Sequence, residues 1–290
     1  MSAAWAWPRW YVLSVQRFET VDIGYQLSVS ITSGDDDSVP VVFINALGTA
    51  QDQWDQVLPR LYLHTVLTYD RAGIGRSGPL PPHLVGQPRT VGALADELRT
   101  LLDTFEVASP HIVVGHSLGA LIARMYSARH GHHIAGLVLV DCTTRQHLAE
   151  TGWPERDGGE DSPGSSMLDI SGSITELDTA VMPAVPAVVL ASAPGRWMRL
   201  TPTQAAEYAP RTPEQLDAQW QDGQHRLAAS LDQEALLVVA DWAGHHIATD
   251  QPELVAACIT AVIAAARGAR PVSIPPAQLR YAGGSCPTLE

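Results

Sequence analysis

The sequence predicts an α/β fold: a mostly parallel central sheet with helices on both faces, in a single domain. Three observations carry this. Short apolar runs of strand type alternate with amphipathic helical stretches along most of the chain. Several of those runs, at 39–44, 112–114 and 134–140, are apolar without interruption, as strands covered on both faces require. The length of 290 residues, 46% of them hydrophobic, suits one large core better than two small ones.

Residues 10–15 and 23–31 alternate in the manner of paired antiparallel strands, and 34–38 form a polar turn after them. The run at 39–44 is a central strand followed by the loop Asn45-Ala46-Leu47-Gly48-Thr49. Residues 51–61, with Trp54, Val57 and Leu58, predict a helix, and 65–69 the next strand, which ends in the glycine-rich turn Asp70 to Ser77. Four prolines make 79–89 a loop. Residues 91–105 carry Leu94, Leu98, Leu101 and Leu102 on one helical stripe. Residues 112–120 read as strand, turn and helix, with Ser117 at the apex, and a further strand at 134–140 stops at Asp141.

The rhythm then breaks. Residues 142–183 mix a polar, glycine- and serine-rich stretch at 158–166 with scattered Trp153, Met167, Leu168, Ile170, Ile174 and Leu177, the composition of a cap over a pocket. Strand, helix and strand resume at 186–191, 212–231 and 235–240. Asp250 is placed to cap a last helix with Pro252 in its first turn and Leu254, Val255, Cys258, Ile259, Val262 and Ile263 on its buried face. The tail from 267 to 290, rich in Pro and Gly, is expected to be loosely held.

Composition excludes several functions. A net charge of −13 argues against nucleic acid and anionic membranes as partners, leaving a small-molecule substrate. There is no lysine, so Schiff-base chemistry and Ser–Lys dyads are excluded. Cys142, Cys258 and Cys286 have neither disulfide nor metal-ligand spacing, and no metal or other cofactor is expected. With neither a signal-peptide pattern nor a bilayer-length apolar run, a cytoplasmic protein is expected. No pattern speaks to oligomeric state.

Gly115-His116-Ser117-Leu118-Gly119 follows the Gly-x-Ser-x-Gly pattern of a nucleophile elbow, in which a strained turn lifts the serine clear of the sheet. Over residues 10–266 the chain resembles the α/β-hydrolase superfamily, most closely its small serine esterases and lactonases. The resemblance rests on four landmarks in order: the loop 45–49, the turn 70–77, the Ser117 elbow, and Gly244-His245 after the last strand.

The resemblance implies a Ser–His–acid triad. His245 is the implied base, with His246 a competing neighbour that would form a pocket wall. The family's usual acid position after the strand at 186–191 holds only Ser192-Ala193-Pro194-Gly195-Arg196-Trp197, so Asp141, at the end of the preceding strand, is the candidate. Asp169, Asp178 and Glu207 are outsiders. The implied oxyanion donors are the amides of Leu47 and Leu118, although Asn45-Ala46 replaces the family's common His-Gly pair. Trp153 and Met167 are expected to touch substrate. The expectation is a cofactor-free hydrolase of a small to medium, largely apolar carboxylic ester or lactone. Thioester hydrolysis and a non-hydrolytic binding role on the same scaffold are the alternatives.

Overall fold

The computed structural model describes residues 17–35, 38–150, 167–231, 235–268 and 271–287. The strand expected at 10–15, Trp153 and the stretch 158–166 lie outside them. The strands are β1 (Arg17–Asp22), β2 (Gln26–Thr32), β3 (Val41–Ile44), β4 (Val66–Tyr69), β5 (Pro88–Arg89), β6 (His111–His116), β7 (Ile134–Val140), β8 (Met167–Leu168), β9 (Ala187–Ala191), β10 (Leu236–Ala240) and β11 (Gly284–Ser285). The helices are α1 (Val91–Thr104), α2 (Leu118–Arg129), α3 (Arg145–Glu150), α4 (Ile170–Thr179), α5 (Pro202–Ala206), α6 (Pro213–Ser230), α7 (Ile247–Asp250), α8 (Pro252–Gly268) and α9 (Pro276–Ala282).

Nine strands form one sheet in the order β1-β2-β4-β3-β6-β7-β9-β10-β11, parallel from β4 to β10 and antiparallel at both edges. The chain passes from β4 over β3 to β6, so the order reverses there, and open sheets of this kind place their sites at the strand C-termini beside such a reversal. Central strands are buried on both faces. On β6, Val113 joins the core under α1, α2 and α6, while Ile112 and Val114 join the core under α8. The stripe of α1 and the expected face of α8 are both buried. Each such Leu, Ile or Val contributes roughly 1.5–3 kcal/mol.

Four expectations need correction. The second strand starts at Gln26, because residues 22–25 make the hairpin turn: Gly24 takes φ 99° and its N–H donates to Asp22 Oδ1 at 2.8 Å. Residues 51–61 form two 3-10 turns, Gln51–Trp54 and Leu58–Leu61, in place of one helix. Pro59 has no N–H to continue an α-helix, and the Gln51 N–H is held by Asp70 Oδ1 at 2.7 Å. Asp250 ends α7 and does not cap α8.

The tail is not loose over 271–287. Helix α9 buries Leu279 and Ala282, Ile274 is buried ahead of it, and β11 pairs with β10 through Val239–Ser285 and Ala240–Gly284. Gln251, fully buried, ties this tail to the loop after β10. Its Nε2 donates to the carbonyls of Ala282 (3.2 Å) and Gly283 (2.5 Å), while its Oε1 accepts from the amides of Trp242 (3.2 Å) and Ala243 (2.8 Å). Pro and Gly composition signals the absence of a long regular element; it does not signal the absence of burial. Leu279→Ala should therefore cost about 2–5 kcal/mol, the range for a truncated core leucine, measured by urea unfolding; a loss near zero would mean that the tail does not contribute to the core.

Candidate active site

Ser117 sits between β6 and α2 with φ 55° and ψ −115°, a region that costs a non-glycine residue of order 1–3 kcal/mol. The surroundings impose it. The Ser117 N–H donates to Val140 O at 3.0 Å, and its carbonyl accepts from Ala120 N at 3.1 Å and Thr143 N at 3.4 Å. The two motif glycines are required by contact: a Cβ on Gly115 would fall 2.3 Å from Gly119 O, and one on Gly119 2.2 Å from Ile44 O. The serine Oγ shares a hydrogen bond of 3.2 Å with Thr143 Oγ1.

Asp141, the first residue after β7, is fully buried at φ 41°. Its Oδ1 accepts from the Ser192 amide (2.9 Å) and Trp220 Nε1 (2.8 Å). Its Oδ2 lies 2.6 Å from His245 Nδ1 and also accepts from Arg196 Nη1. Burial opposes ionisation of this carboxyl. The Arg196 charge, the His245 hydrogen bond and the Ser192 amide outweigh burial and hold the carboxyl well below the usual carboxylate range. Asp141 thus contributes stability above the unfolded carboxylate pKa, about 3.9, which is lost as pH falls from there through the lower folded value.

Arg196 comes from the loop after β9, with its guanidinium stacked 4.0 Å from the Trp220 ring and 4.7 Å from Trp197. Its Nη1 is 2.7 Å from His245 Nδ1. A guanidinium has no acceptor, so two states are available. Nδ1 carries the proton and donates it to Asp141, or Nδ1 is bare and accepts from Arg196. Burial first, and Arg196 second, lower the His245 pKa, with Asp141 acting in the opposite sense. The ring keeps 28% exposure, so water tempers the burial contribution. His116, buried under His245 at a ring separation of 4.6 Å, directs Nε2 to the His245 carbonyl at 2.8 Å. Burial holds His116 neutral and pushes His147, against Trp220, down to about 3.

The loop after β3 is locked from behind. Arg71 donates from Nη1 to Asn45 O at 2.8 Å and from Nη2 to Ala46 O at 2.6 Å. The Asn45 side chain takes up Trp54 Nε1 at 2.9 Å and donates to Tyr69 O at 2.8 Å. Asp70 holds the Gln51 side chain and the Arg76 amide. The Leu47 N–H takes part in no hydrogen bond among the described residues, and the Leu118 N–H, first in α2, has no intrahelical acceptor. Two donors are therefore available on the loops beside Ser117.

The structure brings Asp141 and His245 into contact, with Ser117 on the adjacent strand end. His246 is exposed, its ring 5.7 Å from that of His245, and Met167 is 43% exposed on β8, which pairs only with β5. The buried Cys142 thiol is pushed up to about 12 by burial and is no nucleophile. Among the described residues, no group of three or more His, Cys, Asp or Glu could hold a metal, and no helix is long and apolar enough to cross a membrane. Sequence reasoning missed Arg196, Trp220 and Thr143. For Arg196 the signal was present, as the one charged residue where a carboxylate was sought; Trp220 lay on a stripe that looked like core.

The family described as alpha/beta hydrolase fold matches residues 39–156. An AB hydrolase superfamily protein of Gibberella zeae is 44% identical over 92 residues, 31% of this chain and 27% of that one. The human (lyso)-N-acylphosphatidylethanolamine lipase is 30% identical over 121 residues, 39% of this chain and 33% of that one. The matches thus span well under half the length of these curated relatives. Among solved structures, Est816, described as an N-acyl homoserine lactone degrading enzyme, superposes with a TM-score of 0.57 at 16% identity, covering 83% of this chain and 99% of that one. A thermophilic esterase from Thermogutta terrifontis gives 0.54 at 16% identity, covering 84% and 97%. The chain has the α/β-hydrolase fold, and its residues 39–156 are similar to the family of that name.

The guanidinium at His245 has a measurable consequence. Arg196→Gln removes a positive charge beside the ring and frees Asp141 Oδ2 for it, so the pH at which His245 protonates should rise. Imidazole nitrogen shifts followed by NMR across pH would report it; an unchanged or lower midpoint would mean that Arg196 does not act on the ring.

Proposed function

We propose that the protein is a serine hydrolase that cleaves a carboxylic ester or lactone of a small to medium, largely apolar substrate through an acyl-enzyme. The observation that carries this reading is the 2.6 Å contact between buried Asp141 and His245 Nδ1, beside a serine at a strained elbow. Ser117 Oγ attacks the carbonyl as His245 Nε2 takes its proton, and Asp141 fixes the tautomer and stabilises the imidazolium. The Leu47 and Leu118 amides receive the oxyanion, one such donor being worth roughly 3–4 kcal/mol in the transition state. His245 then protonates the leaving alkoxide, and water repeats the sequence on the acyl group. Trp153, Met167 and His246 are the proposed substrate contacts. The cap at 142–183 is proposed to cover the pocket beside Ser117, and the cytoplasm is the proposed location. With the acid at the end of β7, the position after β9 is free to hold Arg196.

A second reading, a binding protein on the same scaffold, is favoured by two contacts. Ser117 Oγ is paired with Thr143, and Arg196 approaches the nitrogen that must donate to the acid. A fluorophosphonate distinguishes the two readings. It should place one label on the protein, on Ser117, and Ser117→Ala should abolish it; no labelling of the wild-type chain would favour the binding role.

Asp141 also ties Ser192, Trp220 and Arg196 in place, so Asp141→Asn should lower both stability and turnover. Weakened bonds to a charged acceptor should cost about 1.5–3 kcal/mol by thermal unfolding. In the serine-protease triad the corresponding change lowers kcat by about 10⁴, and turnover of a p-nitrophenyl ester by the folded fraction should fall comparably. Normal turnover in that fraction would leave Asp141 a purely structural role.

A further inference from the structure

Helices α2, α3 and α6 border an open cleft of about 350 Å³ lined by Arg124, Arg145 and Arg226, with Thr144, Gln146 and Ser230. That is within the size of small-ligand sites. Three cations from three helices converge here in a chain with 31 acidic and 18 basic residues. With acids in such excess, arginines elsewhere are readily matched: Arg129, farther along α2, bridges Asp96 and Glu176.

Arg124 is different. Among the described residues its guanidinium has no carboxylate and no hydrogen-bond acceptor, and its Nε is buried without a partner. A buried charged donor left unsatisfied is costly, and native structures rarely keep one without a ligand or ordered solvent to meet it. Arg124 also lines a second, adjoining cleft of about 490 Å³, so its side chain borders both.

The other two arginines are already paired, Arg145 with Asp178 at 2.8 Å and Arg226 with Asp222 at 2.9 Å. Those pairs are about half-exposed or more, where ion pairs are weak. An incoming anion therefore meets two screened pairs and one guanidinium that has no partner among the described residues. Thr144 Oγ1 accepts the His147 amide at 3.2 Å, which leaves its own proton to donate. The Ser230 hydroxyl is committed to Leu227 O at 2.8 Å and adds nothing. Gly223 forms the wall of α6, where a Cβ would come within 2.9 Å of Thr144 Oγ1.

We propose that this cleft is an oxyanion-binding site, in which Arg124, seconded by Arg145, Arg226 and the Thr144 hydroxyl, holds a phosphoryl or carboxylate group. The site does not depend on Ser117 and goes beyond the hydrolase reading. It does touch the same chain segment: Thr144 follows Thr143, the partner of Ser117 Oγ.

The test is calorimetric titration of the full chain with inorganic phosphate and, in parallel, with acetate, at ionic strength held constant with sodium chloride. Saturable one-site binding is expected, and Arg124→Met should weaken it tenfold or more. Arg280→Met, which removes an exposed arginine on α9, should leave it unchanged. Arg145→Gln alters only a half-exposed side chain and should weaken binding even if the Arg124 variant proves unstable. The tighter of phosphate and acetate names the ligand group. Labelling Ser117 beforehand with a fluorophosphonate should not abolish the binding. Heat that never saturates, equal loss in the Arg124 and Arg280 variants, or competition by the label would overturn the proposal.

Discussion

The buried carboxylate of Asp141 is the constraint on which the upper end of the sheet depends. A single fully desolvated anion gathers the end of β7, the loop after β9, helix α6 through Trp220 and the loop after β10 through His245. An anion with no water around it must have its lone pairs occupied, and its partners arrive from three separate segments, the loop after β9, α6 and the loop after β10. The same requirement that makes the charge tolerable therefore fixes the relative positions of four segments. The positive φ at Asp141 follows from it, since the chain must turn sharply out of β7 to aim the side chain inward.

A second buried acid does the same on the other side of Ser117. Asp70 holds the Gln51 backbone and side chain and the Arg76 amide, and the neighbouring Arg71 clamps the carbonyls of Asn45 and Ala46. With both carbonyls drawn back toward Arg71, the next amide, that of Leu47, is left without an internal partner. Asn45 acts as a strut between Trp54 and Tyr69, and Gly48 supplies the positive φ of the loop at 64°.

Charge placement around His245 departs most from a simple Asp–His pair. Arg196 offsets the charge of Asp141 and at the same time disfavours a proton on His245, and Trp220 and Trp197 supply the aromatic faces that hold it there. His116 and His246 border the same ring, which therefore lies between the Asp141–Arg196 pair and two further imidazoles.

Periodicity and spacing alone determined the wound sheet, the buried faces of α1 and α8, and the elbow with its glycines and Ser117; His245 and Asp141 became candidates only through the resemblance that those landmarks carry. The former are local facts: a 3.6 or 2 residue period, or a glycine demanded by a turn, is written in consecutive residues. The break of 51–61 into two turns was half legible, since Pro59 is visible but the hold of Asp70 on Gln51 is not. Three features were decided only by tertiary structure: the burial of the tail through Gln251, the arrival of Arg196 and Trp220 at Asp141, and the lack of an acidic partner for Arg124 among the described residues. The contacts concerned span tens of residues, 55 and 79 in the case of Asp141. No period or motif encodes which distant side chain will satisfy a buried charge, because that depends on where separate elements meet once the sheet has formed.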